Sequence, residues 1–226
     1  NFSGHDLSGL HLRSLNFSGS NFNGMNLTNT DLDDSHLEGA DLEGAKLEGT
    51  SMIGIKLNGA KLKNVDFSAI KNKSFDNPRG PNHSAIHSAN FEGADLEGAN
   101  LEGLYLYQSI FKNAKAKNIN LMRSQLIAGS DLSGADFTGA NFRGSNLRYA
   151  ILTGANLTGA DLTDVNFDQA KMTVSDLAAI SDRLTDEQKD SILTHTIPIT
   201  KDELTILNER GYHGKVILSK KGKLKS

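Results

Sequence analysis

The chain has 226 residues, of which 37% are hydrophobic, and its formal net charge is −3 at pH 7. It contains no cysteine, which excludes disulfides, thiolate nucleophiles and thiolate metal ligands. No apolar run reaches the roughly 20 residues that cross a bilayer, so we expect no membrane association. The first residue, Asn1, falls in the middle of a repeat, as expected for a segment of a longer protein.

Apolar residues, mostly Leu and Phe with an occasional Met or Ala, recur every five positions along most of the chain. One run extends from Phe2 to Phe67, a second from Phe91 to Leu126, and a third from Leu132 to Met172. Together these runs contain thirty-one such positions, here called centres, and nine of the ten phenylalanines occupy them. A fixed period of this kind indicates a repeat architecture.

A period of five fits neither an α-helix nor a β-strand, whose periods are 3.6 and 2. It fits a closed coil in which five residues form one side. In Ala40-Asp41-Leu42-Glu43-Gly44, the centre and the small residue two positions earlier would point inward, and the two residues flanking the centre would point outward. Gly or Asn suits the following turn, where φ is positive.

The repeated sequence resembles the pentapeptide repeat family, whose motif is A(D/N)LXX, over about three quarters of the chain. The resemblance implies an all-β fold, a right-handed quadrilateral β-helix (a solenoid) with four pentapeptides per coil. At about 4.8 Å per coil, roughly eight coils would form a rod of about 40 Å. Residues in adjacent coils would then be twenty apart in sequence.

Two irregularities interrupt the β-helix that we predict for residues 1–173. A loop insertion at about 70–85 carries two of the three prolines, and Ile86 is an imperfect candidate centre. The register then slips by one residue between Leu126 and Leu132, which predicts a bulge near 127–131. Leu10 and Leu15 replace alanine at the inner corner of an early coil.

The five-residue period ends after Met172, and residues 174–226 are predicted to be a small α-helical segment with a basic tail. We expect helices near 174–184, 185–195 and 200–210 and a short strand at 216–218. Capping boxes begin at Thr185 and Thr200, and Gly211 suits a helix stop. The helices are interpreted as a cap over the last coil, with a dimer contact or a junction to another domain as alternatives.

No combination of nucleophile, base and orienting residue can be assembled, and no glycine-rich phosphate loop is present. His83 and His87 are four apart, but they precede a β-coil, where this spacing does not place them on one face. We therefore predict no catalytic residue, no metal and no cofactor, and the chain is not expected to be an enzyme.

Charge argues against imitation of nucleic acid. Some pentapeptide repeat proteins, those of the quinolone-resistance type, imitate DNA and bind bacterial type II topoisomerases. Residues 1–173 contain nineteen acidic and fifteen basic residues, whereas 40 Å of duplex carries more than about twenty negative charges. In the predicted register Lys61 and Lys63 lie above Asp41 and Glu43, so the signs alternate. The basic loop at 70–84 keeps the topoisomerase alternative open.

Two groups of residues are candidates for a partner-binding site. Tyr105, Tyr107, Ile127, Arg148 and Tyr149 should face outward on three consecutive coils, and Tyr and Arg dominate interface hot spots. An aromatic ladder, or burial beneath the C-terminal helices, is the structural alternative. The second group lies in the loop and consists of Lys71, Lys73, Phe75 and Arg79; packing of Phe75 against the β-helix is the alternative there.

The leading hypothesis is a non-catalytic protein–protein interaction scaffold whose partner is a protein. A β-helix followed by helices resembles the recognition half of certain secreted bacterial effectors. The alternatives are a DNA-mimicking topoisomerase binder and a purely structural segment. We expect a bacterial, cytoplasmic protein or, alternatively, one secreted into a host cell, with no direct nucleic-acid contact and with possible dimerisation through the C-terminal helices.

Overall fold

A computed structural model describes residues 5–70 and 86–195, together with Asp202, Thr205 and Glu209. Its backbone is a stack of coils joined by parallel β-bridges. One column of bridged residues climbs through eight rungs: Asn16, His36, Lys56, Asn90, Ile110, Asp131, Ile151 and Lys171. Bridges that recur every twenty residues, with five-residue sides, give a four-sided coil.

Each side of the coil is too short to be a strand. One residue bridges to the neighbouring coils, the next is the buried centre, and a two-residue turn follows. The described residues therefore contain isolated bridges and no longer strand. The backbone is still paired, as where Phe22 N donates to Asp41 O at 2.7 Å.

The residue before the centre explains the Asp/Asn preference of the repeat. Its side-chain oxygen accepts a hydrogen bond from the backbone N–H two residues later, as in Asn21 Oδ1 with Asn23 N at 2.8 Å and Asp131 Oδ1 with Ser133 N at 2.9 Å. This is an Asx-turn, which only short acceptor side chains can form. The turn residue has positive φ, as predicted, for example 68° at Gly44 and 57° at Asn64.

The register changes twice. Bridges link residues 20 apart up to Asp41–Lys61, then 34 apart, as in Lys61–Asp95, so the insertion adds fourteen residues to one coil. Ile86 is fully buried and is the first centre after it. Bridges 21 apart, such as Gln125–Asn146, mark the extra residue at the turn of Ala128 and Gly129. Ile127 keeps its place in the lattice, since its carbonyl accepts from Gln108 N at 3.4 Å.

The centres form one continuous hydrophobic core along the rod. Phe91 stacks on Phe111 with ring centroids 4.8 Å apart and meets Phe67 edge-on at 6.0 Å. Small residues fill the corners, where Thr50 Oγ1 donates to Leu27 O at 2.8 Å, whereas the buried Ser109 hydroxyl has no hydrogen-bond partner among the described residues. Burial of each large centre contributes on the order of 2 kcal/mol.

Two expectations about orientation are wrong at the amino-terminal end. Leu10 and Leu15 occupy corner positions but remain 43% and 44% exposed, because they belong to the first described coil. Asp31 and Asp33 flank the centre Leu32 and are nevertheless buried. Asp33 is held there by the Ile53 N–H at 2.9 Å and by Arg13 at 3.3 Å.

Within the described residues up to 195, two helices follow the last coil, α1 at Val174–Ile180 and α2 at Asp186–His195, with a 3₁₀ turn at Ser181–Arg183 between them. The predicted helix at 174–184 is therefore shorter than expected. The capping box at Thr185 is confirmed, since Thr185 and Gln188 exchange side-chain to backbone hydrogen bonds. Asp202, Thr205 and Glu209 are helical; the rest of 200–210, the strand at 216–218 and the basic tail lie outside the described residues.

Two side chains of the helical segment provide hydrogen bonds that a further coil would otherwise provide. Arg183 Nη1 donates to Leu157 O at 2.9 Å and to Ala160 O at 3.0 Å. In the same way, Gln188 Nε2 donates to Leu162 O and Val165 O at the next corner of the coil. Ala160 O and Val165 O, which the backbone N–H groups of another coil would otherwise satisfy, are thus paired, which is what a solenoid end requires.

Candidate protein-binding surface

The first group of candidate residues lies on one side of the coil, here called the tyrosine face. Its centres are Leu12, Leu32, Met52, Ile86, Leu106, Leu126, Leu147 and Phe167. Two outward columns flank these centres. The first contains Tyr105, Gln125, Asn146 and Asn166, and the second contains His87, Tyr107, Ile127, Arg148 and Asp168. The register places all five predicted residues on three consecutive coils.

Tyr105 and Tyr107 form an aromatic pair on either side of the buried centre Leu106. Their ring centroids are 5.6 Å apart with an interplanar angle of 70°, which is the edge-to-face geometry that aromatic rings prefer. Both rings are half-buried. Burial, and to a smaller extent the neighbouring Tyr105, raises the pKa of the Tyr107 hydroxyl. Tyr107 therefore stays neutral at physiological pH and presents a hydrogen-bond donor.

Arg148 and Tyr149 form the upper part of the group. The Arg148 guanidinium carbon lies 4.8 Å from the centroid of the Tyr149 ring, within the range of a cation–π contact. Arg148 Nε also contacts Asp168 Oδ2 at 2.8 Å on the next coil. Tyr149 is 41% exposed and is held at a turn with φ of 62°. Ile127 is half-buried between the two groups.

Amides share this face with the predicted residues. Asn146 Nδ2 donates to Gln125 Oε1 at 3.2 Å, so the first column is a ladder of neutral polar side chains. The sequence analysis did not select Gln125 or Asn146, although the twenty-residue register places both beside the tyrosines. The sequence feature that could have identified them is their position, because each directly precedes a centre.

The insertion begins and ends beside the tyrosine face. Ile70 fills the corner before this face, and Ile86 is its centre one coil below Leu106. Ser88 N donates to Tyr107 O at 2.8 Å, so the chain re-enters the lattice directly beneath the tyrosine pair. The second group of candidates, Lys71, Lys73, Phe75 and Arg79, lies outside the described residues, as does His83.

The side with centres Phe22, Leu42, Leu62, Leu96, Ala116, Phe137 and Leu157, here called the paired-charge face, has a different character. Its bridged column reads Asp41, Lys61, Asp95, Lys115 and Asp136. Lys61 approaches Asp41 at 3.4 Å, Lys63 approaches Glu97 at 2.9 Å, and Lys117 approaches Asp136 at 3.6 Å. The alternation of signs predicted between coils is present, and opposite charges neutralise each other along the rod.

The described part of the chain offers no metal site, since no group of three His, Asp or Glu side chains is placed to hold an ion. A groove of about 540 Å³ lies between the last coil and α2, with Asp168 and Glu187 among its lining residues. None of the described helices is long and apolar enough to cross a membrane.

The family model for pentapeptide repeats matches this chain in eight copies, over residues 1–34, 35–69, 88–126, 127–159 and 140–177. The chain belongs to the pentapeptide repeat family. The resemblance seen in the sequence is thus confirmed, and membership implies a right-handed β-helix. The matched family is a repeat scaffold and not a catalytic family.

This pentapeptide repeat protein is also similar to solved structures, at low identity. The plasmid-mediated fluoroquinolone resistance protein QnrB1 is 18% identical, with a TM-score of 0.32, over 76% of this chain and 98% of QnrB1. HetL, involved in heterocyst differentiation regulation in the cyanobacterium Nostoc sp. strain PCC 7120, is 22% identical, with a TM-score of 0.23, over 76% of this chain and 93% of HetL. No curated protein sequence matches.

Proposed function

We propose that this pentapeptide repeat protein is a non-catalytic scaffold that binds a protein partner through the tyrosine surface, defined as Tyr105, Tyr107, Ile127, Arg148 and Tyr149. The observation that supports the proposal is the convergence of these residues on three stacked coils. Tyrosine and arginine carry much of the energy in protein interfaces, and tyrosine buries a large area at low entropic cost. A bacterial protein, cytoplasmic or secreted as an effector, is the context we propose for it.

Rigidity favours this role. The tyrosine surface lies on bridged backbone above a continuous core, and Leu106, Leu126 and Leu147 beneath it are fully buried. A preorganised surface loses little conformational freedom on binding. The β-helix therefore presents its side chains at fixed spacing, roughly 4.8 Å from coil to coil.

The topoisomerase alternative receives less support from the charge geometry. An imitation of duplex DNA needs one continuous anionic face, whereas Lys61, Lys63 and Lys117 neutralise the carboxylates of the paired-charge face. A gyrase supercoiling assay separates the two functions. We expect no inhibition and no protection at micromolar concentration; either effect would favour the topoisomerase alternative.

The proposal is tested by quantitative capture of proteins from host and bacterial lysates. The triple substitution Tyr105→Ser, Tyr107→Ser and Tyr149→Ser should reduce capture of the specific partner at least tenfold, because it removes the aromatic contacts without touching the core. The matched control replaces Glu43, Lys63 and Lys117 on the paired-charge face with Ser and should leave capture unchanged. An identical set of captured proteins for wild type and the tyrosine variant, together with equal capture of a second, differently tagged copy of this chain, would remove the proposed surface.

A further inference from the structure

We infer that the protein partner of the tyrosine surface is a second copy of this chain, docked face to face with the two rods antiparallel. This inference rests on the proposed function and names its partner. The first observation concerns charge. On the five coils from Ile86 to Phe167, the described outward residues of the tyrosine face include two charged side chains, Arg148 and Asp168. These two already form an ion pair at 2.8 Å. The described coil residues of two such faces can therefore approach each other without uncompensated like charges.

The order of side chains along the second column is complementary to itself. The twofold axis of the proposed dimer is parallel to the chain direction of the five-residue side that contains Ile127. Rotation about this axis reverses the order of the coils and places each column opposite the same column of the second copy. Ile127 then meets Ile127, Tyr107 meets Arg148, and His87 meets Asp168. These are an aliphatic contact, a cation–π contact and an imidazole–carboxylate contact, each between chemically matched groups.

The first column and the turn residues obey the same operation. Gln125 meets Gln125, and two primary amides can exchange hydrogen bonds because each carries a donor and an acceptor. Tyr105 meets Asn146, so a phenol hydroxyl faces an amide. At the turns, the exposed ring of Tyr149 meets Gln108, and Ser88 meets Gln169. Among the described residues of these five coils, no carboxylate faces a carboxylate in this arrangement.

The size of the contact predicts a weak dimer. Five coils at about 4.8 Å span about 24 Å, and four extended residues at about 3.3 Å span about 13 Å. Each copy would bury on the order of 300 Å², compared with about 800 Å² per partner in a stable complex. We therefore expect association that depends on protein concentration.

Single-cysteine variants test this arrangement, because the wild-type chain contains no cysteine. Gln125→Cys places a thiol beside the axis, and a bifunctional thiol reagent that spans the ~10 Å between stacked sheets should join two copies. Ser88→Cys and Gln169→Cys lie two coils below and above the axis, so they should crosslink when mixed but not separately. Lys63→Cys on the paired-charge face is the control.

Crosslinking of Gln125→Cys at least tenfold faster than Lys63→Cys, together with a product from Ser88→Cys and Gln169→Cys that requires mixing, supports the dimer. Equal rates for Gln125→Cys and Lys63→Cys would overturn it, as would crosslinking of Ser88→Cys alone as fast as the mixture. The experiments distinguish failure of the dimer from failure of the proposed protein-binding surface. If crosslinking fails while capture still depends on the three tyrosines, the tyrosine surface binds a different protein.

Discussion

At the scale of single residues, each position of the pentapeptide has one physical task. The centre fills the core, the residue before it closes an Asx-turn, and the turn residue adopts positive φ. The aromatic centres add contacts between coils: Phe91 is fully buried and lies against both Phe67 and Phe111. Core substitutions should therefore have a cost that depends on whether coils cover them on both sides.

Phe91→Ala is expected to lower the free energy of unfolding by about 3–5 kcal/mol, because it leaves a cavity between two ring neighbours. Leu10→Ala is the matched control. Leu10 is 43% exposed at the amino-terminal end, so its truncation should cost less than about 1 kcal/mol. Urea denaturation followed by circular dichroism measures both values, and equal losses would contradict the burial described here.

Asp136 links the stability of the fold to pH. The Thr138 hydroxyl, followed by the Thr138 backbone N–H and Lys117, holds the pKa of the Asp136 carboxyl below its ordinary value. Since the pKa is lower in the folded state, this stabilisation is present above the unfolded value of about 3.9. It is lost as the pH falls through the folded-state pKa.

Asp136→Asn should therefore reduce stability at pH 7 and shrink the difference between pH 7 and pH 3. The measurement is the urea midpoint at both pH values. Asp182→Asn, at a side chain that is 80% exposed, serves as control and should leave the pH profile of the wild type unchanged. A profile for Asp136→Asn as steep as that of the wild type would assign the acid sensitivity to other groups.

At the scale of elements, the sequence predicted which segments are helical better than how they are joined to the β-helix. The capping box at Thr185 located the start of α2 because its residue types are local signals. The end of α1 at Ile180 and the hydrogen bonds of Arg183 to Leu157 and Ala160 had no sequence signal. They depend on which carbonyls lie at the end of the last coil, and this follows only from the completed winding.

Arg183→Met tests this junction. The substitution keeps the apolar stem but leaves the carbonyls of Leu157 and Ala160 without their charged donor, which should cost about 2 kcal/mol. Amide exchange should also quicken in the last coil more than elsewhere. Arg143→Met, at an exposed position of the repeats, should change neither quantity. Unchanged exchange in Arg183→Met would show that the helices do not protect this end.

At the scale of the whole molecule, the period of five predicted the coil, and the coil in turn predicted which surface residues meet. Tyr105, Tyr107, Ile127, Arg148 and Tyr149 lie on one face because the coils stay stacked from Ile86 to Phe167, and the one extra residue at Ala128 and Gly129 is confined to a turn. The buried positions of Asp31 and Asp33 were missed, since they depend on specific partners such as Arg13. Outward orientation in a repeat does not by itself determine exposure.

The central claim is that the coil continues in register across the insertion, so that residues 34 apart are neighbours. The most direct measurement is disulfide formation in Lys63→Cys/Glu97→Cys, a pair whose wild-type side chains approach at 2.9 Å. Adjacent coils about 4.8 Å apart allow a disulfide, whereas Lys63→Cys/Lys117→Cys, two coils apart, should stay reduced. The account predicts an intramolecular disulfide in the first variant only; a first variant that stays reduced under oxidising conditions would contradict the winding and the surface built on it.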